Sequence, residues 1–209
     1  MLRQSAESPM QTDGPVPIES RALGTLSYIR SSIESASALA VPGMASIVLG
    51  CIGVTAAVVT SIPSLAPYWL AIWLVAAVIA FVLGGALMAR QQALRGNTRY
   101  FGPFRKFLLC LCPALIAGAA LTLALWRVGM PRLIPGMWLL LYGCAVLSSS
   151  TVTLAATLRL VATMGASFIA LGLVTFELPT RLHLLALGAG FGGLHLLFGF
   201  LIGRTQHVD

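Results

Sequence analysis

The residue in this sequence best suited to carry chemistry is His195, which lies deep in the last apolar run, residues 183–204. A full charge at mid-membrane costs about 2.5–3.5 kcal/mol even on insertion scales. We therefore expect a neutral imidazole, with one donor and one acceptor to satisfy. Four glycines, spaced to share one helix face with it, predict a close-packed helix contact there. They are Gly188, Gly192, Gly199 and Gly203.

Hydroxyl groups in the fourth apolar run offer partners for this imidazole. Residues 148–153 would lie in the same half of the membrane as His195 if both runs cross it. One interpretation is an interhelical hydrogen bond, worth about 0.6–2 kcal/mol, that fixes helix six on helix four. The alternatives are a proton relay, a polar ligand pocket or a pH-sensing switch. The candidate polar membrane site comprises His195, Ser148, Ser149 and Thr151.

Cys110 and Cys112 resemble half of a metal site. Residues i and i+2 of a helix point about 200° apart, so both sulfurs would reach one ion only if the backbone unwound before Pro113. No histidine or carboxylate lies nearby in the sequence. We expect neither a metal nor another cofactor, and small buried cysteines rather than disulfides.

The carboxylates and histidines are placed badly for catalysis. Four of the six acidic residues fall within residues 1–34 and one is the last residue, Asp209. The three histidines, at 183, 195 and 207, lie too far apart along the membrane normal to share a site. Because an enzyme needs a nucleophile with a base, paired carboxylates or a metal, we expect no catalytic residues and no enzymatic activity.

The elements that must position these residues are membrane helices. The chain is 58% hydrophobic and only 9% charged, and its mean hydropathy is +0.92, whereas soluble domains are about 25% charged. Apolar runs long enough to cross about 30 Å of hydrocarbon predict an all-α polytopic membrane protein with six transmembrane helices. The predicted helices cover residues 42–61, 68–89, 107–126, 136–157, 160–176 and 183–204.

Four segments of different character follow one another along the chain. Residues 1–19 combine prolines with polar residues and predict a disordered tail. Residues 20–41 carry apolar residues at three- and four-residue spacing and predict an amphipathic helix at the membrane surface. Residues 42–204 form the six-helix transmembrane domain, and residues 205–209 form a cytoplasmic tail.

The basic residues predict how the chain is oriented. With both termini inside, ten of the 13 Lys and Arg residues lie on the inner side and three on the outer side. The positive-inside rule therefore favours a bacterial inner membrane protein whose N-terminus and C-terminus are cytoplasmic. Anionic lipid headgroups account for the net charge of +7 without nucleic acid. The predicted headgroup contacts are Arg90, Arg95, Arg99, Arg105 and Lys106.

A repeat relates the three helical hairpins. Each outer turn contains a proline, at positions 63, 131 and 179, and PSLAPYWL in the first turn resembles PRLIPGMWL in the second. We interpret the six helices as three hairpins in the same orientation, a parallel repeat about an axis along the membrane normal. Because inverted repeats are the commoner device for alternating access, this pattern disfavours a transporter.

The last hairpin, GASFIALGLVTFELPTRLHLLALGAGFGGLHLLFGFLIGR, resembles HdeD-like bacterial membrane proteins in its Leu-Gly pair, proline turn and spaced glycines. YIRSSIESASALAVPG and GFGGLHLLFG resemble uncharacterised bacterial inner-membrane proteins. The resemblance implies a role in envelope stress. We expect a non-enzymatic scaffold that binds a membrane protein, lipid or its own copies as a homo-oligomer. The alternative is a small transporter, channel or proton-responsive protein.

Overall fold

The structure, a computed structural model, describes residues 41–94 and 102–205, which are almost entirely helical. Six helices there are long and apolar enough to cross a membrane, as predicted. The predicted tail at 1–19, nearly all of the predicted amphipathic helix at 20–41 and the last four residues lie outside the described residues. The six spans are Gly43–Thr60, Ala66–Leu94, Phe104–Arg127, Pro131–Ser150, Ala155–Glu177 and Thr180–Thr205.

Five α-helices make up most of the first five spans, and the sixth span is composite. Three of the spans open with a short 3-10 turn, and proline is the first or second residue of two of these turns because its fixed φ suits the start of a helix. The sixth span contains a seven-residue π-helix between two α-helices. The helices are α1 (Gly43–Thr60), α2 (Trp69–Leu94), α3 (Gly102–Arg127), α4 (Ile134–Ser150), α5 (Ala155–Glu177), α6 (His183–Leu187), the π-helix (Gly188–Leu194) and α7 (His195–Thr205).

The turn between the fourth and fifth spans differs from the prediction. We expected the fourth span to continue to residue 157, but α4 ends at Ser150 and Leu154 adopts an extended conformation before α5 begins. Serine and threonine hydroxyls compete for backbone carbonyls and disfavour a continued helix. Thr151 and Thr153 show this competition, because their hydroxyls donate hydrogen bonds to the carbonyls of Ser148 and Ser150.

Glycines bring two pairs of spans into backbone contact. The most extensive pairing joins α4 to α5, and the next joins α1 to the sixth span. A Cβ atom built on Gly43 of α1 would lie 2.6 Å from the carbonyl oxygen of Gly199. One built on Gly53 would lie 2.7 Å from the backbone nitrogen of Gly192. The predicted glycine face of the sixth span therefore packs against α1.

The second and third spans lie at the periphery. Only 6% of the apolar window of the second span and 11% of that of the third are buried, against 56% for the fourth. The second span packs mainly on α1 and the third on α4. The other spans thus surround the buried interior, which contains Leu139, Phe168, Leu187, Ile202 and His195.

Candidate functional site

His195 is the first residue of α7, and its side chain is 98% buried. Its Nε2 atom lies 2.7 Å from the hydroxyl oxygen of Tyr142 on α4, a hydrogen bond between the fourth and sixth spans. Its backbone carbonyl accepts a hydrogen bond of 3.1 Å from Ser46 Oγ on α1. One residue therefore joins three spans, because its side chain and its backbone are bonded to different helices.

Aromatic rings enclose the Tyr142–His195 pair. Phe168 of α5 meets the Tyr142 ring edge-on, with centroids 4.9 Å apart, and the imidazole edge-on at 5.3 Å. Phe191 of the π-helix lies 5.2 Å from Tyr142 and stacks on the imidazole at 6.3 Å. Trp73 of α2, in the first hairpin, contacts Phe191 with ring centroids 6.0 Å apart. We call Trp73, Tyr142, Phe168, Phe191 and His195 the aromatic cluster.

Ring pairs of this kind stabilise by about 0.5–1.5 kcal/mol beyond the area they bury, and they prefer the tilted and edge-on geometries seen here. The aromatic cluster draws residues from α2, α4, α5, the π-helix and α7. It therefore fixes the relative positions of four spans, and the polar pair at its centre has a single geometry.

The second imidazole nitrogen has no such partner. Nδ1 of His195 is buried and forms no well-aligned hydrogen bond with any described residue. The backbone of Gly190 and Phe191 faces the imidazole closely enough to interact with it electrostatically. The π-helix thus presents backbone acceptors to the ring, as π-helical segments near functional groups often do.

The predicted hydroxyl partners do not meet His195. Ser149 and Ser150 donate to the carbonyls of Val146 and Leu147 in their own helix. Thr151 bonds to the carbonyl of Ser148, whose own side chain is exposed. The prediction named the correct span but not the residue, because these short side chains reach their own backbone more easily than a neighbouring helix.

Tyr142 was not among the predicted partners of His195, although the sequence carries a signal for it. Of the four tyrosines, it is the one in the interior of a predicted span. A buried tyrosine hydroxyl normally has a hydrogen-bond partner, so an intramembrane tyrosine predicts one. Trp73, Phe168 and Phe191 carried no comparable signal, because apolar aromatic residues are common in spans.

The cysteines differ from the prediction of buried side chains. Cys51 and Cys144 are exposed on the surface of the helices, and Cys110 and Cys112 are half-buried. All four are free. The third helix continues through Pro113, so the unwinding that a Cys110–Cys112 metal site would need does not occur. Within the described residues no three metal-ligating side chains come together.

The turn between the fifth and sixth spans is held by His183. Its Nε2 donates to the carbonyl oxygen of Leu178 at 2.9 Å, which joins the end of α5 to the start of α6. Glu177 and Arg181 in the same turn are exposed and form no ion pair in the described part of the chain. Because Leu178 is extended, these two side chains lack the helical i, i+4 geometry in which such residues pair.

Comparisons with known proteins bear on neither the family nor the function. No protein-family model, curated protein or solved structure matches this chain significantly. The arguments below therefore rest on the residues and their contacts.

Proposed function

We propose that this chain is a multi-pass membrane scaffold with no enzymatic activity, which holds a partner membrane protein, lipid or a second copy of itself. The observation that supports this best is the Tyr142–His195 hydrogen bond inside the aromatic cluster. A scaffold needs a rigid interior whose polar groups are packed and bonded to one another. A conduction pathway instead needs polar groups that face water.

Several other buried hydroxyl groups are also hydrogen-bonded within the protein. The hydroxyls of Thr60, Thr122, Ser149 and Thr175 all donate to carbonyl oxygens of their own helices. Such bonds satisfy a donor without creating a chain of groups along which a proton could pass between spans. This arrangement favours a structural role for the polar residues of the interior.

Reconstitution into liposomes tests this proposal. The purified chain would be incorporated into vesicles containing the pH-sensitive dye pyranine, and a proton gradient with a potassium–valinomycin potential would be applied. We expect the rate of dye response to equal that of protein-free vesicles. Proton flux that the wild type catalyses and His195→Phe loses would contradict the scaffold proposal. Cross-linking in intact membranes, followed by mass spectrometry, would identify the partner or the second copy.

A proton-responsive protein or small transporter is the second candidate. The observation that favours it is the buried Nδ1 of His195, which forms no well-aligned hydrogen bond with any described residue and lies beside the π-helix. In this case His195→Phe would abolish the response while the chain stayed folded. A scaffold and a chain that moves protons therefore give opposite results in the liposome experiment.

For the membrane and orientation, we propose a bacterial inner membrane with both termini in the cytoplasm. The support is the excess of basic residues on one side, including Arg90 of α2 and Arg105 and Lys106 of α3, all exposed near the ends of their helices. Arg95 and Arg99 complete the headgroup contacts in this proposal. A cysteine introduced within residues 95–99 should react with an impermeant maleimide only after the cells are opened. Labelling of intact cells would place residues 95–99 outside the cell and contradict the proposed orientation.

We further propose that the three hairpins form a parallel repeat. Two interfaces support it, since both pair the second span of one hairpin with the first span of another. In the α4–α5 interface the close-packed glycines are Gly143 and Gly165, and in the interface of α1 with the sixth span they are Gly43 and Gly199. A role in envelope stress remains a proposal that rests on the resemblance of the last hairpin to HdeD-like proteins.

A further inference from the structure

A groove of about 400 Å³ runs between α1 and α2 and opens sideways from the helix pair. It is lined by side chains from residues 48–59 of α1 and 72–79 of α2, nearly all of them aliphatic. The one hydroxyl in the lining, that of Thr55, donates to the carbonyl of Cys51 in its own helix. The groove therefore offers dispersion contacts and no free hydrogen-bonding side chain, so its ligand must be hydrocarbon.

The length of the groove matches one leaflet of a bilayer. Residues 48 and 59 are 11 positions apart, which along an α-helix is about 16 Å, or roughly half of a hydrocarbon core about 30 Å thick. One end lies beside Val59, next to the last residue of α1. The groove thus begins beside the α1–α2 turn and extends along about two-thirds of α1, a little past the middle of the helix.

The groove is about as wide as a single hydrocarbon chain. A volume of about 400 Å³ spread over about 16 Å leaves a cross-section of about 25 Å², whereas a helix about 10 Å across covers about 80 Å². A helix of a partner protein or of a second copy is therefore too wide to lie within the groove and would only cover its open side. An extended hydrocarbon chain is narrow enough.

The turn above the groove carries no charge. Residues 61–68 read SIPSLAPY, and Ser61, Ser64 and Tyr68 are exposed. These hydroxyls suit an interfacial position but provide no counter-ion for an anionic headgroup. We propose that the groove is a binding site for one acyl chain of a phospholipid from the leaflet that contains the α1–α2 turn, and that it does not select headgroup charge. An empty groove would lose dispersion contacts that the bound chain restores.

Photo-cross-linking in nanodiscs tests this site. The probe is a phosphatidylcholine with a diazirine on its sn-2 chain, and adducts are located by peptide mass spectrometry. We expect adducts on residues 48–59 and 72–79 to exceed those around Ile116 and Leu123 of α3, which are also exposed. The expected ratio is about fivefold, which corresponds to roughly 1 kcal/mol of preferential contact. An even distribution over the exposed surfaces would overturn the proposal.

Two neighbouring alanines provide a matched pair of variants. Ala76→Phe places a ring in the groove, whereas Ala77→Phe places the same ring on the exposed face of the same helix. We expect Ala76→Phe to reduce groove adducts to the level of α3, and Ala77→Phe to leave them unchanged. If Ala76→Phe does not fold, Ala76→Leu fills the groove with a smaller group. Equal adducts in folded variants of both positions would overturn the site.

A phosphatidylglycerol probe with the same sn-2 chain examines headgroup selection. We expect the same adduct yield as with phosphatidylcholine. A yield several-fold higher with phosphatidylglycerol would show that the site selects an anionic headgroup. The result is independent of the scaffold proposal, because a chain that conducts protons could bind the same lipid.

Discussion

A Cβ atom built on Gly143 would lie 2.8 Å from the carbonyl oxygen of Gly165, and one built on Gly165 would lie 2.9 Å from the carbonyl oxygen of Gly143. Seven residues along each helix, the contact recurs, since a Cβ on Gly172 would lie 3.0 Å from the carbonyl oxygen of Gly136. The backbones of α4 and α5 therefore touch at two levels. In a bilayer, where lipid is as apolar as leucine, such packing is a main source of helix association.

Gly165→Ala should destabilise the chain. The new methyl group would lie 2.6 Å from the backbone nitrogen of Leu147, an atom that cannot move aside without shifting α4. Overpacking of this kind costs about 1–3 kcal/mol. The measurement is the free energy of unfolding in mixed micelles titrated with SDS, followed by tryptophan fluorescence.

Gly85→Ala is the matched control for this substitution. Gly85 also lies within a helical span, but a Cβ built on it meets no atom within 4 Å. Because alanine is the better helix former, we expect the free energy of unfolding to stay the same or to rise by up to about 1 kcal/mol. Equal losses of unfolding free energy in the two variants would show that backbone contact at Gly165 is not what destabilises Gly165→Ala.

The Tyr142–His195 hydrogen bond should give a measurable coupling energy. Tyr142→Phe and His195→Phe each remove one partner, and the double variant removes both. Hydrogen bonds between membrane helices average about 0.6 kcal/mol and reach about 1.7 kcal/mol, so we expect a coupling in that range from a double-mutant cycle of unfolding free energies.

Tyr68→Phe provides the control for that cycle. Tyr68 is 63% exposed at the start of the second span and lies outside the aromatic cluster. We expect the cycle of Tyr68→Phe with His195→Phe to give a coupling of zero within error. A coupling of zero for Tyr142 as well would mean that the 2.7 Å contact contributes nothing to stability.

Hydropathy and glycine spacing predicted the six spans and the glycine face of the last one, since both depend on patterns within single helices. The imidazole that we expected on that same face instead bonds to α4, whereas the glycines pack on α1. The partner of His195 depends on how α4 and α7 rotate about their axes. Residues 148–153 are rich in hydroxyls, but their local hydrogen bonds remove them as partners, and this is visible only in three dimensions.

The π-helix could not be read from the sequence either. Glycines at 188, 190, 192 and 193 are equally compatible with a tight α-helical contact. In this wider turn Phe191 contacts both Trp73 and Tyr142 while Gly192 packs on α1. Packing on two sides at once, rather than local propensity, explains why this segment departs from an α-helix.

One hydrogen bond should strengthen the packing of the third span on α4. The indole Nε1 of Trp138 on α4 donates to Thr122 Oγ1 of α3 at 2.7 Å. Thr122→Val keeps the shape of the side chain but leaves the indole N–H without this acceptor, so we expect a loss of about 1 kcal/mol in the free energy of unfolding. Thr55→Val is the control, because the hydroxyl of Thr55 bonds only within α1. Similar losses in both variants would contradict this prediction.

Deleting Gly193 should be far more damaging than replacing it. The residue is exposed, and a Cβ built on it meets no atom within 4 Å, so Gly193→Ala should leave stability nearly unchanged. Its deletion would shorten the π-helix and rotate α7 by about 100° relative to α6, since each residue of an α-helix turns by that angle. Either His195 would lose its hydrogen bond with Tyr142, or Gly188 would lose its contact with Ala57. We expect a drop in unfolding free energy larger than that of His195→Phe, and a deletion as stable as Gly193→Ala would show that the π-helix does not set the register.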